Sequence, residues 1–273
     1  MDSLKDTEKT YSFLWRQEDD NLPVREWHYN AMQQVINEPI IRGKIGLDLG
    51  SGCGYDTYLM AKDNPSVRII SVDISDGIYK TRKLTRDLAN VSTAKCSALC
   101  LPFKDSILDF VYSFGVLHHT TDPKKGLWEI SRILKKNSPV FLYLYEDHAG
   151  NIFKYCAIKA VLLLRFITTK MPHAFIDFLS WLASPFIFIV FSLPAKILYK
   201  FKYTRNIARG IPFNFGTGLF SLRGDLYDRF RTPIEFRFGK DELVDMFSEC
   251  GFSNIKITRL SHSAGWVVWG YKL

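Results

Sequence analysis

Short apolar runs alternate with amphipathic stretches over the first 150 residues. "KIGLDLG" (44–50), "VRIISVDIS" (67–75), "ILDFVYSFGVL" (107–117) and "SPVFLYLYE" (138–146) are near-continuously apolar, the pattern of strands buried on both faces. "VSTAKCSA" (91–98) is a weaker strand between the second and the next. Between them, "YDTYLMAKDN" (55–64), "DGIYKTRKLTRDLAN" (76–90) and "DPKKGLWEISRILKKN" (122–137) carry helical spacing, the last opening at a proline. Alternating β and α predicts right-handed crossovers and a doubly wound parallel sheet. The alternation breaks near Gly150 and resumes after Thr232 with a helix, "GKDELVDMFSECGF" (239–252), and two closing strands, "NIKITRL" (254–260) and "GWVVWGYKL" (265–273). The expected fold is therefore α/β, a seven-stranded sheet with a helical insertion after its fifth strand. Its parts are a helical lead-in or lid (1–42), a core (43–149), an insertion (150–232) and a completion of the core sheet (233–273).

Charge sharpens the picture of the insertion. Residues 1–150 hold 19 Lys and Arg against 20 Asp and Glu, whereas residues 151–232 hold 12 against 3. The basic excess thus coincides with the segment richest in Phe, Ile and Leu, which marks an interface and argues against a general nucleic-acid binder. No charge occurs from Phe178 to Ala195, 18 residues and near the minimum for a membrane span, but Pro185 and Pro194 interrupt it. Strands on both flanks must meet in one sheet, so a single crossing is excluded and a re-entrant or surface-lying hairpin remains. Three readings stay open: an apolar cap packed on itself, an interfacial element meeting anionic lipid through Lys154, Lys159, Arg165, Lys170, Lys196, Lys200 and Lys202, and a partner interface. The amino terminus does not read as a signal peptide, and five cysteines without a CxxC pair suit a reduced, cytoplasmic chain with no metal site.

The turn after the first strand carries the chemistry. Gly50, Gly52 and Gly54 fall within five positions of "LDLGSGCG", behind Asp48. Such a turn lets a ligand touch bare backbone at the carboxyl end of a sheet. A dinucleotide fingerprint would require glycine at position 55, where Tyr55 stands. The spacing suits a nucleoside cofactor without a pyrophosphate, with Asp48 facing an ammonium or ordered water. Asp73, closing the second strand, is placed to accept from both ribose hydroxyls.

Together, "LDLGSGCG", "SVDIS", "LPFKDSILDFVYSFGVLHHTTDP" and "LWEISRILKK" resemble, in order, the motif series of class I S-adenosylmethionine-dependent methyltransferases, in particular the methyltransferase type 11 group. The resemblance covers 43–147 and resumes over 240–273. It implies a Rossmann-like fold and S-adenosylmethionine as cofactor. It assigns Asp48, Gly50, Gly52 and Gly54 to the methionine side, Ser51 to the cofactor site as well, Asp73 to the ribose and Ile74 to one face of the adenine. Ser97, beside Ala98, stands where the family usually has an acid for the adenine amino group. Ser113 in "YSFG" resembles a serine that lies by the cofactor in quinone-modifying C-methyltransferases.

Methyl transfer from a sulfonium asks mainly for placement of the nucleophile, with a base only where a proton must leave. His118 and His119 after the fourth strand, and His148 after the fifth, are the candidate catalytic residues; the "LHH" pair equally fits a loop-ordering role. Tyr145 and Glu146 are expected at the rim. Trp15 and Phe13 form either a lid over the cofactor or a helix packed on the sheet. "GLFSLRGDLYDRFRTPIEFRF" (218–238) resembles a substrate-side loop in which Tyr227, Asp228, Arg229 and Arg231, together with Tyr145, would contact an acceptor, the arginines suiting a phosphate or carboxylate; a structural salt-bridge role fits those arginines equally. The expected function is methyl transfer to a small or lipid-linked acceptor, with O-methylation of a glycan or lipid intermediate ahead of C-methylation of a quinone-like ring. A non-catalytic binding protein of the same fold is the alternative. Nucleic acid is not an expected partner, and peripheral contact with an anionic membrane is.

Overall fold

A computed structural model describes residues 2–17, 29–211, 213, 219–259 and 265–273. They divide into two compact units, Met1–Ile152 with Ile234–Leu273, and Phe153–Pro233.

The first unit is built on seven strands: β1 (Ile45–Leu49), β2 (Arg68–Asp73), β3 (Val91–Lys95), β4 (Phe110–Phe114), β5 (Pro139–Tyr145), β6 (Phe252–Arg259) and β7 (Gly265–Lys272). Their order is β3-β2-β1-β4-β5-β7-β6. The first five are mutually parallel, and β7 runs antiparallel to both β5 and β6. This is the doubly wound, Rossmann-like sheet that the alternating pattern predicts, and the order reverses between β1 and β4, where ligands bind in such sheets. Leu260, the last residue expected in the sixth strand, lies outside the described residues.

Helices α1 (Asp2–Gln17), α2 (Tyr55–Asp63), α3 (Gly77–Leu84), α4 (Pro123–Ile133) and α9 (Lys240–Glu249) belong to this unit. α4 starts where the sequence signals it: the Asp122 carboxylate accepts from the Lys125 backbone N–H at 2.9 Å, and Pro123 occupies the first turn, where its missing donor costs nothing. Leu47, Leu49, Val111, Leu127, Val140, Leu142 and Phe247 form a core on one side of the sheet. Met32, Ile36, Met60, Ile69, Phe110 and Phe141 form one on the other. Among the described residues, none of the second unit belongs to either cluster. Gly46 makes room for this packing, since a Cβ there would lie 2.1 Å from the Phe110 ring.

The ends of the chain that lead into and out of the second unit are tied together. The Asp147 backbone N–H donates to Phe238 O at 3.2 Å, and the Phe238 N–H donates to Tyr145 O at 2.9 Å. The Trp266 indole N–H donates to the same Phe238 carbonyl at 2.9 Å.

The second unit is helical. It contains α5 (Ile152–Thr168, whose first residue belongs to the first unit), α6 (His173–Ile187), a π-helical stretch at Phe188–Ser192, α7 (Leu193–Tyr199) and α8 (Leu219–Arg231). Between Pro185 and Pro194, which lack the amide a regular ladder needs, the helix widens rather than breaks. The segment expected as a substrate-side loop is instead the helix α8 through Arg231. Leu222, Leu226 and Tyr227 recur on one face of it and are buried, so helical periodicity and burial outweigh the loop-like Gly and Asp.

Candidate functional site

At the carboxyl edge of β1, β2 and β4 lies a cleft of about 660 Å³ including its open mouth. Its floor is Leu49, Gly50, Val72, Asp73 and Ile74, and one wall is the "CSA" segment Cys96, Ser97 and Ala98. Gly115, Val116 and His119 form the other wall. α1 covers it, presenting Leu4, Thr7, Tyr11 and Trp15. Trp15 both lines the cleft and packs on the glycine turn, which leaves both of its expected roles standing. Its indole lies only 2.9 Å from where a Cβ on Gly52, or on Gly77, would stand.

The turn itself is held in a conformation that side chains disfavour. Gly50, Gly52 and Gly54 have φ of 81°, 55° and 87°. A Cβ on Gly54 would lie 2.7 Å from the Thr81 backbone, so this glycine serves the approach of α2 to α3. Gly115 is different: its φ is 79°, it lines the cleft, and nothing lies within 4 Å of where its Cβ would be. There the bare backbone faces open space, the arrangement expected of a cradle for a planar ligand.

Asp73 is buried and organises the turn. Its Oδ2 accepts from the Gly52 N–H at 2.8 Å, and its Oδ1 accepts from the Ser75 N–H at 2.7 Å and the Ser75 hydroxyl at 2.6 Å. Burial pushes its pKa up, against these hydrogen bonds and Lys95. With Oδ1 doubly occupied, further hydrogen-bonding capacity remains at Oδ2, which narrows the expectation that both oxygens await a ribose.

Several expected cofactor neighbours face elsewhere. Asp48 accepts from the Thr57 hydroxyl at 2.5 Å, on the α2 side of β1 and outside the cleft lining. Burial, then the nearby Asp56 carboxylate, push it up to about 8 despite the Thr57 and Tyr112 hydroxyls. Ser113 donates to Leu49 O at 2.7 Å and so staples β4 to β1. Ser51 shares a 3.3 Å contact with the Thr81 hydroxyl. Gly50, Asp73, Ile74, Ser97 and Ala98 do meet in the cleft; Asp48, Ser51, Gly52, Gly54 and Ser113 form the layer behind it.

The three histidines separate as well. His118 and His119 sit in a 3₁₀ turn, Leu117–His119, and both are buried. His118 stacks on Tyr145, with ring centroids 3.9 Å apart, and lies outside the cleft lining. His119 lines the cleft, 5.4 Å from the Tyr11 ring, and its Nδ1 is 2.8 Å from Ile234 O. A carbonyl only accepts, so Nδ1 carries the proton and Nε2 is the basic nitrogen of the neutral ring. His148 is buried with Nδ1 3.4 Å from Glu146, which also pairs with Arg259. The structure thus brings one of the three candidate histidines to the cleft.

The expected acceptor contacts lie partly in the second unit. There the Tyr227 hydroxyl is 2.7 Å from His173 Nδ1, and Arg231 Nη2 is 3.4 Å from His173 Nε2. Arg229 lies over the Phe213 ring at 5.2 Å, while its carbonyl accepts from Arg165 at 2.6 Å. These contacts are internal to the unit, and the buried Arg229 Nε donates no hydrogen bond in them. Tyr145, in the first unit, packs between His118 and the Arg237 guanidinium. Among the lining residues that the sequence reading did not single out are Gly115, Tyr11, Leu4, Thr7 and Val116; the positive φ of Gly115 has no signature beyond the glycine itself. No group of His, Cys, Asp and Glu able to hold a metal occurs among the described residues.

Residues 47–142 match the family model for a methyltransferase domain. A tRNA (carboxymethyluridine(34)-5-O)-methyltransferase of Saccharomyces cerevisiae is 34% identical over 94 residues, 34% of this chain and 32% of the yeast protein. The chain therefore spans about a third of that relative's length. A demethylmenaquinone methyltransferase of Staphylococcus saprophyticus is 24% identical over 257 residues, 93% of this chain and 89% of that protein. Among solved structures, a SAM-dependent methyltransferase from Aquifex aeolicus aligns over 96% of this chain and 98% of its own, with a TM-score of 0.53 and 12% identity, a likeness of fold. With the sheet order, the glycine turn and the match in agreement, residues 47–142 form a methyltransferase domain on a fold of the class I, S-adenosylmethionine-dependent kind.

Proposed function

We propose that the cleft binds S-adenosylmethionine and that the chain transfers its methyl group to a small or lipid-linked acceptor, by O-methylation of a glycan or lipid intermediate. The observation that carries the reading is the cleft at the strand-order reversal, lined by Gly50, the open backbone of Gly115 and the buried Asp73, whose carboxylate accepts from the Gly52 N–H of the turn. When bound, the cofactor supplies an activated methyl group. Gly50, Asp73, Ile74, Ser97 and Ala98 would hold it, with Ser97 offering a neutral acceptor where a carboxylate is usual. α1 shields the cleft from water through Tyr11 and Trp15. His119 presents a wall of the cleft with its tautomer set by Ile234 O, which suits removal of a hydroxyl proton at Nε2 as the acceptor is methylated. The apolar and basic make-up of the insertion supports an acceptor carried on lipid.

C-methylation of a quinone-like ring is the second reading, and the alignment with demethylmenaquinone methyltransferase over 93% of the chain favours it. The tRNA-modifying relative matches only 34% of the chain, and the basic excess lies in an apolar segment, so nucleic acid is not the acceptor proposed. Titration calorimetry with S-adenosylmethionine and S-adenosylhomocysteine tests the cofactor: heat is expected from both, and silence from both at millimolar concentration leaves a non-catalytic protein of this fold. Mass spectrometry of metabolites from a deletion strain then finds the acceptor as a species one methylene lighter.

A further inference from the structure

The continuous helical segment His173–Tyr199 is long and apolar enough to cross a membrane, yet it is polarised in the opposite sense to a helix of a water-soluble core. Its inward positions are Ile176, Ser180, Ser184, Ser192 and Ala195, all buried. The inward hydroxyls are satisfied locally: Ser180 donates to Ile176 O at 2.8 Å, Ser184 to Ser180 O at 2.5 Å and Ser192 to Phe213 O at 2.6 Å. The segment's one carboxylate, Asp177, is paired with Arg223 at 2.7 Å. Outward stand Phe178, Trp181, Leu182, Phe186, Ile189 and Ile197, each 49–67% exposed. On α5, Leu163 and Phe166 are 75% and 72% exposed. Small and polar groups inside with bulky apolar groups outside is the polarity adopted where the surroundings are hydrocarbon. The exposed apolar area of the long segment, on the order of 10³ Å², far exceeds what a lone protein shows to water.

Two further observations name the occupant. Cations border the face: Lys170 lies 4.3 Å from the Phe166 ring centroid and Lys196 5.2 Å from that of Phe188, and Lys200 and Lys202 follow within two turns. With 12 Lys and Arg against 3 Asp and Glu in residues 151–232, charge complementarity favours an anionic lipid surface over a second copy of the same cationic face. The entry and exit of the insertion are hydrogen-bonded side by side through Tyr145, Asp147 and Phe238, so both ends lie on one side of any bilayer.

We propose that the Phe153–Pro233 unit seats this outward face in one leaflet of an anionic bilayer, entering and leaving from the same side. It is a peripheral anchor for the whole chain, whatever the acceptor. This replaces a cap that packs only on itself, since the largest apolar side chains of the segment are outward.

Flotation of the full chain with phosphatidylcholine vesicles, with and without phosphatidylglycerol, tests it. Co-flotation with the anionic vesicles is expected, and at least tenfold weaker partition onto the neutral ones. Lys196→Ala, Lys200→Ala and Lys202→Ala combined should lower anionic partition roughly 100-fold, at about 1 kcal/mol per cation. Trp181→Glu with Phe186→Glu should abolish it while circular dichroism stays unchanged. If that pair fails to fold, the lysine variants alone decide. A well-folded chain that stays in the lipid-free fraction at every composition overturns the proposal. So does flotation indifferent to all these changes, or a sedimenting dimer that Trp181→Glu dissociates.

Discussion

At the residue scale, one carboxylate holds the turn together and another carries a cost. Asp73 receives the Gly52 and Ser75 N–H groups as well as the Ser75 hydroxyl, so Asp73→Ala removes the acceptor that shapes the glycine turn along with any ribose contact. Cofactor affinity should fall by about 1–3 kcal/mol in titration calorimetry. Asp48 has a different consequence. Its carboxyl ionises near 3.8 in an unfolded chain and near 8 in the fold. Between these values the folded chain holds the extra proton, so stability falls as pH rises from about 4 to about 8 and is flat above. Asp48→Asn, which does not ionise, should flatten that slope, and its advantage in melting temperature over the parent should grow from about pH 5 to about pH 8. His119→Ala should lower turnover by a factor of about 10²–10⁴ if its Nε2 accepts the acceptor's proton, and steady-state kinetics measure it. The turn was legible in advance, because three glycines behind Asp48 mark a backbone conformation that side chains disfavour, but that Gly54 serves helix packing and only Gly50 of the three lines the cleft was not. Nor was the direction in which Asp48 and Ser113 point. A residue at the end of a parallel strand faces one layer or the other, and apolar continuity on both faces leaves no alternation to tell which.

At the element scale, the strands were legible from apolar continuity and α4 from its proline and cap. α8 was hidden because Gly224, Asp225 and Asp228 suggest a turn, while the stripe of Leu222, Leu226 and Tyr227 that packs inward is only two turns long. The register of α1 was equally hidden. "YSFLW" shows an aromatic helix, but which aromatic meets Gly52 depends on tertiary packing that no local spacing encodes. Because the Trp15 indole occupies the ground above Gly52 and Gly77, Trp15→Ala should loosen the cover without disturbing the sheet. Stopped-flow measurement should show faster cofactor dissociation, with the thermal melting temperature changed little.

At the scale of the whole molecule, both apolar cores belong to the sheet-bearing unit, and the chain's exit toward the insertion is paired with its return at Phe238. Joining 152 to 234 through a short glycine-serine linker should therefore leave a folded chain that still binds S-adenosylmethionine in calorimetry and no longer floats with vesicles. The interruption of the sheet and its basic, apolar character were plain in the sequence. The sense in which its long helix is turned was not, since serines at every fourth position read equally well as a dilution of a core. That orientation bears on how the polypeptide fares at birth and in the test tube. A surface that hides hydroxyls and displays phenylalanines is adhesive in plain buffer, so recovery after cell lysis should follow the particulate fraction. Mild detergent or nanodiscs, more than added salt, should keep the purified material from clumping.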